Sequence, residues 1–260
     1  MPTVLITRPS LQGKELCSLL NSAGISTQYQ PLIEFQPTET IPDLKQTLYQ
    51  ADIIIAVSQP AVRYFHQQLV KNSLFWPQTS RYLAIGQKTA RLLRKLSQQQ
   101  VDYPSHGDSE HLLSHPSLLN VREQNIVILR GNGGREFLAE QLLQQGAHVK
   151  YCESYRRKFI PFEASDKVVQ WQKQNVSHVV FTSEEQLRFF VNQITKENRL
   201  WMLNLHIFVP SQRIAQVAKE IGFQNTIVVG SANNFDLVAA IQPKVIGILN
   251  DNQQHNARKQ

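Results

Sequence analysis

The sequence predicts an α/β protein with two similar lobes, each a parallel sheet flanked by helices. Two observations support this prediction. Short apolar runs of strand length alternate with segments of helical period, and the pattern of the first half returns in the second half. Alternating strands and helices are typical of parallel sheets with both faces covered, and a repeated pattern indicates two related units.

The first half shows the alternation element by element. Residues 4–7 form an apolar run of strand length, residues 10–23 have helical period and end at Gly24, and residues 26–35 form an extended stretch. A short helix is predicted after Pro42. It is followed by a strand at 52–57, a helix over 60–70, a strand at 81–85 and a helix over 87–96.

The second half repeats the first in matched segments. VLITRPSLQGKELCSLLNSAG, which starts at Val4, matches IVILRGNGGREFLAEQLLQQG, which starts at Ile126, so that Arg8 lies opposite Arg130. Three further pairs follow in order: AVSQPAVRYF with FTSEEQLRFF, LAIGQKTARLLRKL with FVPSQRIAQVAKEI, and DSEHLL with NNFDLV. We therefore expect two related units.

A doubled unit can be built as two lobes in series, or as lobes that exchange their first β-α-β segment. The stretches 26–37 and 148–160 alternate aromatic and polar residues, as two strands of an antiparallel ladder would. This pattern favours exchange. One discontinuous lobe would then comprise residues 1–34 plus 160–243 and the other residues 38–153, with 26–37 and 148–160 as connecting strands. The polar tail 244–260 lacks periodicity and is expected to be disordered.

The composition narrows the class of protein. The 42% apolar content supplies an ordinary core. No basic leader precedes the first apolar run, and no uncharged apolar stretch approaches the roughly 18 residues of a membrane span, so we expect a cytoplasmic protein. Cys17 and Cys152 are far apart in apolar patterns, which is typical of buried thiols. The net charge of +7 suits an anionic partner, but its scattered distribution does not favour nucleic acid.

Polar turns are expected at the carboxyl ends of the strands, where ligands of parallel sheets bind beside helix N-termini. Because the lobes are duplicates, both sets of turns can face one cleft, which would suit a large anion with several carboxylates. The turn residues expected to bind such a substrate are Arg8, Ser58, Gln59, Gly86, Thr89, Arg130, Gly131, Arg135, Thr182, Ser183, Ser211 and Arg213.

The turn RGNGGR over residues 130–135 is the richest of these. Its glycines allow a ligand to approach the backbone, and its two arginines can bind carboxylate or phosphate. It lacks both the full G-x-G-x-x-G spacing and the Gly-Lys-Ser/Thr ending of nucleotide-binding loops. A glycine turn that only caps a helix stays open as the alternative.

Other candidate motifs are incomplete. His111 and His115 have helical i, i+4 spacing, but Leu112 stands where the H-E-x-x-H motif has glutamate, so no metal site is predicted. The turn serines lack a G-x-S-x-G context and Asp and His partners. They are expected to be helix N-caps or ligand donors, and not nucleophiles.

Tyr155, in the segment ESYRR, is the remaining reactive candidate. A phenol stays protonated at neutral pH and can donate a proton to a departing oxygen. A tyrosine in a strand is more often a core residue, and that interpretation also stays open.

An ordered set of segments resembles one family. LITRP, PLIEF, AVSQPAV, AIGQKTA, LRGNGGREFLAEQL, ESYRR, FTS and VPSQRIAQVAKEIGF come, over about residues 3–242, in the order seen in uroporphyrinogen-III synthases. The resemblance implies two α/β lobes joined by a two-stranded ladder, with the N-terminal segment packed in the C-terminal half.

The resemblance also implies a reaction of haem biosynthesis. The linear tetrapyrrole hydroxymethylbilane loses water, closes to a macrocycle and inverts its last ring to give uroporphyrinogen III, without a cofactor. Tyr155 matches the family's cleft tyrosine and becomes the candidate acid, while the turns at Ser58, Thr89, Arg130, Thr182 and Ser211 would bind carboxylates or line the cleft. A monomer without a nucleic-acid or membrane partner is expected, and a transient contact with the preceding pathway enzyme stays open.

Two other functions fit the residues taken alone. One is a non-enzymatic bilobal protein that binds an anionic small molecule. The other is a nucleotide-binding enzyme that uses residues 130–135.

Overall fold

The computed structural model describes residues 2–243 and Val245. These residues belong to two compact units. The central unit is Phe35–Arg157, and the terminal unit combines Met1–Glu34 with the described part of Lys158–Gln260. The expected disorder of 244–260 falls, apart from Val245, outside the described residues.

The elements follow one another as strand and helix along nearly the whole described chain. In order they are β1 (Thr3–Ile6), α1 (Ser10–Ser22), β2 (Ser26–Tyr29), β3 (Ile33–Pro37), α2 (Leu44–Tyr49), β4 (Ile53–Ala56), α3 (Gln59–Lys71), β5 (Arg81–Ala84), α4 (Gln87–Ser97), β6 (Val101–Asp102), α5 (Ser109–Leu113), β7 (Asn125–Gly131), α6 (Phe137–Gln144), β8 (His148–Phe159), α7 (Ala164–Lys173), β9 (Val176–Val180), α8 (Glu184–Gln193), α9 (Arg199–Leu203), β10 (His206–Val209), α10 (Gln212–Ile221), β11 (Asn225–Val228) and α11 (234–243).

The terminal unit contains a sheet in the order β11-β10-β9-β1-β2, and every pair of neighbours is parallel. Both faces of β1 are buried, which explains its apolar run from Val4 to Ile6. Leu5 packs into the cluster around Trp171 and Phe190, whereas Val4 and Ile6 pack on the opposite face. The alternation follows from the two-residue period of a strand.

The central unit contains a sheet in the order β3-β8-β7-β4-β5-β6. Its middle strand β4 is again fully buried, with Ile53 and Ile55 in one core cluster and Ile54 and Ala56 in the other. Strands β4 to β8 pair in parallel. The expected fold class, α/β with two parallel sheets flanked by helices, is confirmed.

The stretch expected as one connecting strand, 26–37, is two strands. β2 pairs with β1, and the amide N–H groups of Gln30 and Leu32 still donate to the carbonyls of Ile6 and Thr7. β3 instead lies beside β8. The break falls at Pro31, which has no amide N–H to donate.

The β3–β8 ladder runs antiparallel. The Thr38 amide donates to the Ser154 carbonyl at 3.1 Å, and the Ile160 amide donates to the Leu32 carbonyl at 2.9 Å. Because the partner number falls as the residue number rises, the two strands run in opposite directions.

The parallel strands of each unit end at one side of the sheet, which we call the carboxyl edge. The turns that follow β1, β9 and β10 form this edge in the terminal unit, and those that follow β4, β5 and β7 form it in the central unit. Such edges are where open parallel sheets bind ligands. Within the described part of the chain, no helix is long and apolar enough to cross a bilayer.

Candidate functional site

Tyr155 lies at the carboxyl edge of the central unit and is 3% exposed. Its ring packs edge-on to Phe35 at 5.1 Å and stacks on Tyr64 at 5.7 Å between centroids. Its hydroxyl lies 3.4 Å from the Ser58 hydroxyl, on the turn after β4. The aromatic contacts fix the ring, and the phenol oxygen is directed towards the turn where a ligand is expected.

A β-bulge in β8 places Tyr155 opposite Gly131. The register shifts after Arg130, so Ser154 is the extra residue, and its hydroxyl donates to the Ala61 carbonyl at 2.9 Å. A Cβ atom on Gly131 would lie 2.5 Å from Tyr155 Cζ. Glycine is therefore required at this position, since only a bare backbone leaves room for the ring.

Arg130 is directed into its own turn. The side chain is buried, and Nε and Nη2 donate to the carbonyls of Gly131 and Gly134 at 3.2 and 3.4 Å. Nη1 pairs with Glu136 at 2.8 Å, and the guanidinium lies over the Tyr151 ring at 4.2 Å from its centroid. The arginine thus closes the glycine turn on itself.

Glu136 links this turn to β8. It accepts hydrogen bonds from Tyr151 and Arg130, and these two bonds lower the pKa of its carboxyl. Partial burial, with the neighbouring carboxylate, raises the pKa of Tyr151 to about 12. Both residues therefore keep their ordinary charge states at neutral pH, and the network is stable there.

Arg135 projects from the same turn into solvent. Its guanidinium pairs with Glu110 of α5 at 2.6 Å, and both side chains are about half exposed or more. An exposed ion pair of this kind contributes little to stability, because water competes for both charges. Arg135 is therefore free to exchange its partner for an incoming carboxylate at small cost.

The turn after β5 packs against the loop before α5. A Cβ atom on Gly86 would lie 3.3 Å from the Gly107 Cα, so the two backbones approach closely. Gln59 is half-buried at the start of α3, and Thr89 is buried in the first turn of α4. These residues line the same carboxyl edge as Ser58.

Arg8 occupies the carboxyl edge of the terminal unit and is buried. Its guanidinium donates to the side-chain oxygens of Asn234 and, at 3.1 Å, Gln12. Burial lowers its pKa, and the nearby Glu15 carboxylate raises it in part. Arg8 joins the starts of α1 and α11, as Arg130 closes its own turn in the other unit.

Thr182 is held by a buried glutamine. The backbone amide and hydroxyl of Thr182 both donate to the Gln186 side-chain oxygen, at 2.9 and 3.0 Å. Gln186 is 2% exposed. The turn after β9 is thereby fixed by its own helix.

The three turn serines cap helices. The hydroxyl oxygens of Ser58, Ser183 and Ser211 accept from the amides of Ala61, Gln186 and Ile214 at 3.2, 3.3 and 3.5 Å. Each bond satisfies one of the first amides of α3, α8 or α10. The earlier amides of α8 and α10 have no acceptor within the helix, and in α3 the same holds for Gln59, since Pro60 has no N–H. These amides present a partial positive charge at the carboxyl edge.

Arg213 lies one residue into α10 and is exposed. It shares the Glu184 carboxylate with Arg188, which pairs with Glu184 at 2.8 Å. These two arginines lower the pKa of Glu184. The terminal unit thus also offers an exposed arginine that pairs with a half-buried glutamate.

The histidines singled out by spacing have structural partners. His111 lies 2.7 Å from Asp108 and stacks on His106, and His115 accepts the Ser117 amide at 3.2 Å. Among residues 2–243, no group of three or more His, Cys, Asp or Glu side chains is placed to hold a metal ion.

Comparison of the sequence and the fold with known proteins shows the family to which the chain belongs. The family model described as uroporphyrinogen-III synthase HemD matches residues 14–239. A uroporphyrinogen-III synthase of Escherichia coli (strain K12) is 38% identical over 245 residues, which are 92% of this chain and 100% of that protein. The chain belongs to the uroporphyrinogen-III synthase family.

Further relatives agree with this membership, and the resemblance inferred from the sequence is confirmed. The uroporphyrinogen-III synthase of Salmonella typhimurium is 38% identical over 247 residues, 92% of this chain and 100% of that protein. A mutant uroporphyrinogen III synthase from the extremely thermophilic bacterium Thermus thermophilus has a TM-score of 0.62 at 17% identity, covering 91% of this chain and 96% of that chain. The Helicobacter pylori enzyme gives 0.59 at 15% identity, covering 92% and 99%. These two structures show a shared fold.

Several residues that shape the edges of this uroporphyrinogen-III synthase family member were not anticipated. They are Glu136, Gln186, Asn234, Glu110 and Glu184. The sequence position of two of them was a partial indication, because Glu136 and Glu184 directly follow the predicted turn residues Arg135 and Ser183. Their partners depend on tertiary packing, which spacing does not reveal.

Proposed function

We propose that this chain is a uroporphyrinogen-III synthase, a cyclising lyase that converts hydroxymethylbilane to uroporphyrinogen III. The observation that carries the proposal is its membership of that family over nearly its whole length. Two parallel sheets with polar carboxyl edges support the proposal, because such edges are where open parallel sheets bind ligands.

The reaction needs a proton at one oxygen. The hydroxymethyl C–O bond breaks, the hydroxyl leaves as water once it receives a proton, and the remaining carbon is an azafulvene cation stabilised by the pyrrole. Inversion then requires that the cation first bond the carbon of the last ring that already carries the bridge to the third ring. That older bridging bond breaks, which leaves a second azafulvene cation on the third ring. The free carbon of the last ring bonds this cation and loses its proton, so the macrocycle closes with the last ring inverted. No electrons are exchanged with a second molecule, so the chemistry calls for no redox cofactor. Placement of the reacting ends supplies most of the acceleration.

We assign the proton donor as Tyr155. The aromatic contacts and Gly131 hold its ring, and its hydroxyl is directed to the turn at Ser58. Ser58 provides a hydroxyl beside the phenol. This hydroxyl can donate or accept a hydrogen bond as the phenol gives up its proton. A phenol is a suitable donor because its O–H can donate a hydrogen bond and then a proton to a departing oxygen.

The eight substrate carboxylates would bind the turns at the carboxyl edges. Arg135 and Arg213 are exposed and pair with Glu110 and Glu184, so they are the arginines we assign to carboxylate binding. The first amides of α3, α8 and α10 would bind others, beside Gln59, Gly86, Thr89 and Thr182. Arg8 and Arg130 would act by holding the turns in shape, because both Nη groups of Arg8 and all three guanidinium nitrogens of Arg130 donate within the protein.

The net charge of +7 supports this substrate class, since a basic protein attracts a strongly anionic ligand. We further propose that the enzyme acts as a monomer in the cytoplasm. Its cysteines, Cys17 and Cys152, are free thiols, which fits a reducing compartment.

The test is to supply freshly made hydroxymethylbilane to the purified chain and separate the products by isomer. Type III product at a rate proportional to protein concentration supports the proposal. Type I product alone, at the rate seen without protein, would contradict it. If type I product forms while the chain binds the bilane tightly, the protein is a binding protein and not an enzyme.

A further inference from the structure

Two large apolar side chains are exposed at the carboxyl edge of the terminal unit. Leu11, in the first turn of α1, is 67% exposed, and Phe235, in the first turn of α11, is 69% exposed. A single exposed leucine is ordinary on a protein surface. Two such side chains stand out here, because the other residues named at these edges are mainly arginines, serines and backbone amides.

The two helix starts are joined directly. Asn234 is buried, and its side-chain amide donates to the Gln12 carbonyl at 3.0 Å and to the Glu15 carboxylate at 2.7 Å. The Asn234 side-chain oxygen accepts from Arg8. Leu11 precedes Gln12 and Phe235 follows Asn234, so the two apolar residues flank one hydrogen-bond network centred on the buried Asn234.

The duplication provides an internal comparison. In the matched segments Leu11 corresponds to Gly133, and Phe235 corresponds to Glu110, which pairs with Arg135. The next core position is the same in both halves, because Leu112 and Leu237 are both fully buried. The fold therefore does not require apolar residues at these two positions, and the central unit has none there.

We propose that Leu11 and Phe235 hold the face of one pyrrole ring of the substrate. This inference rests on the proposed function and assigns a binding role that the polar turns cannot fill. A tetrapyrrole has carboxylates at its rim and flat, weakly polar ring faces. An aromatic and an aliphatic side chain, carried on two helix starts that Asn234 joins, suit such a face, while Arg213 and the helix amides suit the rim.

A second copy of this chain is a poorer occupant. A stable protein–protein interface buries about 800 Å² on each partner. Near them along the two helices are exposed polar residues, among them Gln12, Lys14, Glu15 and Asp236. An apolar area of two side chains with a charged rim fits a small molecule better.

The experiment replaces each residue by glutamine and measures KM and kcat separately. Leu200→Gln and Phe75→Gln are the matched controls, because Leu200 is 77% exposed and Phe75 is 78% exposed, and both precede a strand, so they lie away from the carboxyl edges. We expect KM to rise about tenfold in Leu11→Gln or Phe235→Gln and more in the double variant, since each loses a partly buried apolar contact. We expect kcat to change less than KM, and the controls to match the wild type in both constants.

Several outcomes would overturn the inference. If the wild-type chain makes type III product and the double variant has an unchanged KM, the inference fails and the proposed function stands. If KM rises as much in the control variants Leu200→Gln and Phe75→Gln as in the Leu11 and Phe235 variants, the inference also fails and the proposed function stands. Sedimentation of a wild-type dimer that the double substitution dissociates would show an interface between copies. A wild-type chain that makes no type III product removes the proposed function and this inference together.

Discussion

Tyr155 combines a fixed ring with a hydroxyl beside Ser58, on the turn after β4, and this residue carries the proposed chemistry. In Tyr155→Phe the ring keeps its contacts with Phe35, Tyr64 and Gly131, so the fold should persist. The proton donor is lost, and we expect kcat to fall about 100-fold, the usual size of a general-acid contribution. Single-turnover assays with fresh hydroxymethylbilane would measure this change.

The matched control is Tyr82→Phe. Tyr82 is also a buried tyrosine of the central unit, but its hydroxyl donates to the Pro77 carbonyl at 2.6 Å. This variant should lose about 1 kcal/mol of stability and keep its turnover. Near-normal turnover in Tyr155→Phe would remove Tyr155 from the acid role.

His178 makes the stability of the terminal unit depend on pH. It is buried, stacks on His206 at 4.9 Å between centroids, and has its pKa lowered to about 4 by burial and by the nearby His206 charge. The unfolded chain binds this proton near pH 6.5, whereas the folded chain does not until about pH 4. The stabilisation is therefore complete above pH 6.5 and is lost as the pH falls towards 4, by up to about 3 kcal/mol.

Urea unfolding at pH 7 and pH 4.5, followed by the fluorescence of buried Trp171 in the same unit, measures this loss. His178→Phe should remove most of the pH dependence, because no proton is then taken up at that position. His148→Asn, at an exposed histidine, should leave it unchanged. An equal dependence in wild type and His178→Phe would show that other groups dominate.

Helices α3, α8 and α10 begin in the same way, each with a serine cap at the carboxyl edge. The sequence left open whether these serines cap helices or bind a ligand, and the structure shows that they cap. We expect Ser183→Ala to lower the free energy of unfolding by about 1 kcal/mol, because one amide of α8 loses its acceptor. Ser183→Asp should retain most of that stability, since aspartate also caps. Urea titration measures the free energy of unfolding of each variant. An alanine variant as stable as the wild type would contradict the capping role.

Elements with a strong period were predictable from the sequence to within one or two residues. The strands at Ile53–Ala56 and Arg81–Ala84 and the helix Gln87–Ser97 lie where alternation placed them. The division of 26–37 into β2 and β3 was not predictable, because both pieces have the same extended pattern. They differ only in the strand beside which each lies, and pairing partners are set by the whole fold.

At the scale of the whole molecule, duplication was the most informative property of the sequence. It predicted two parallel sheets and polar turns at their carboxyl edges, since equivalent residues take equivalent places. The duplication did not predict the direction in which the arginine side chains of the turns point. Arg8 and Arg130 turn inward to partners such as Asn234 and Glu136, and the bulge that sets Tyr155 opposite Gly131 depends on the β7–β8 register.

The central claim is that these turns and one tyrosine suffice to close and invert a tetrapyrrole. The most direct measurement is the fraction of type III isomer formed from fresh hydroxymethylbilane by chain that has been treated with a chelator and dialysed. We predict that nearly all of the product is type III, at a rate proportional to the protein present. Product that is type I alone, or type III product that appears only when metal or a cofactor is added back, would contradict the account.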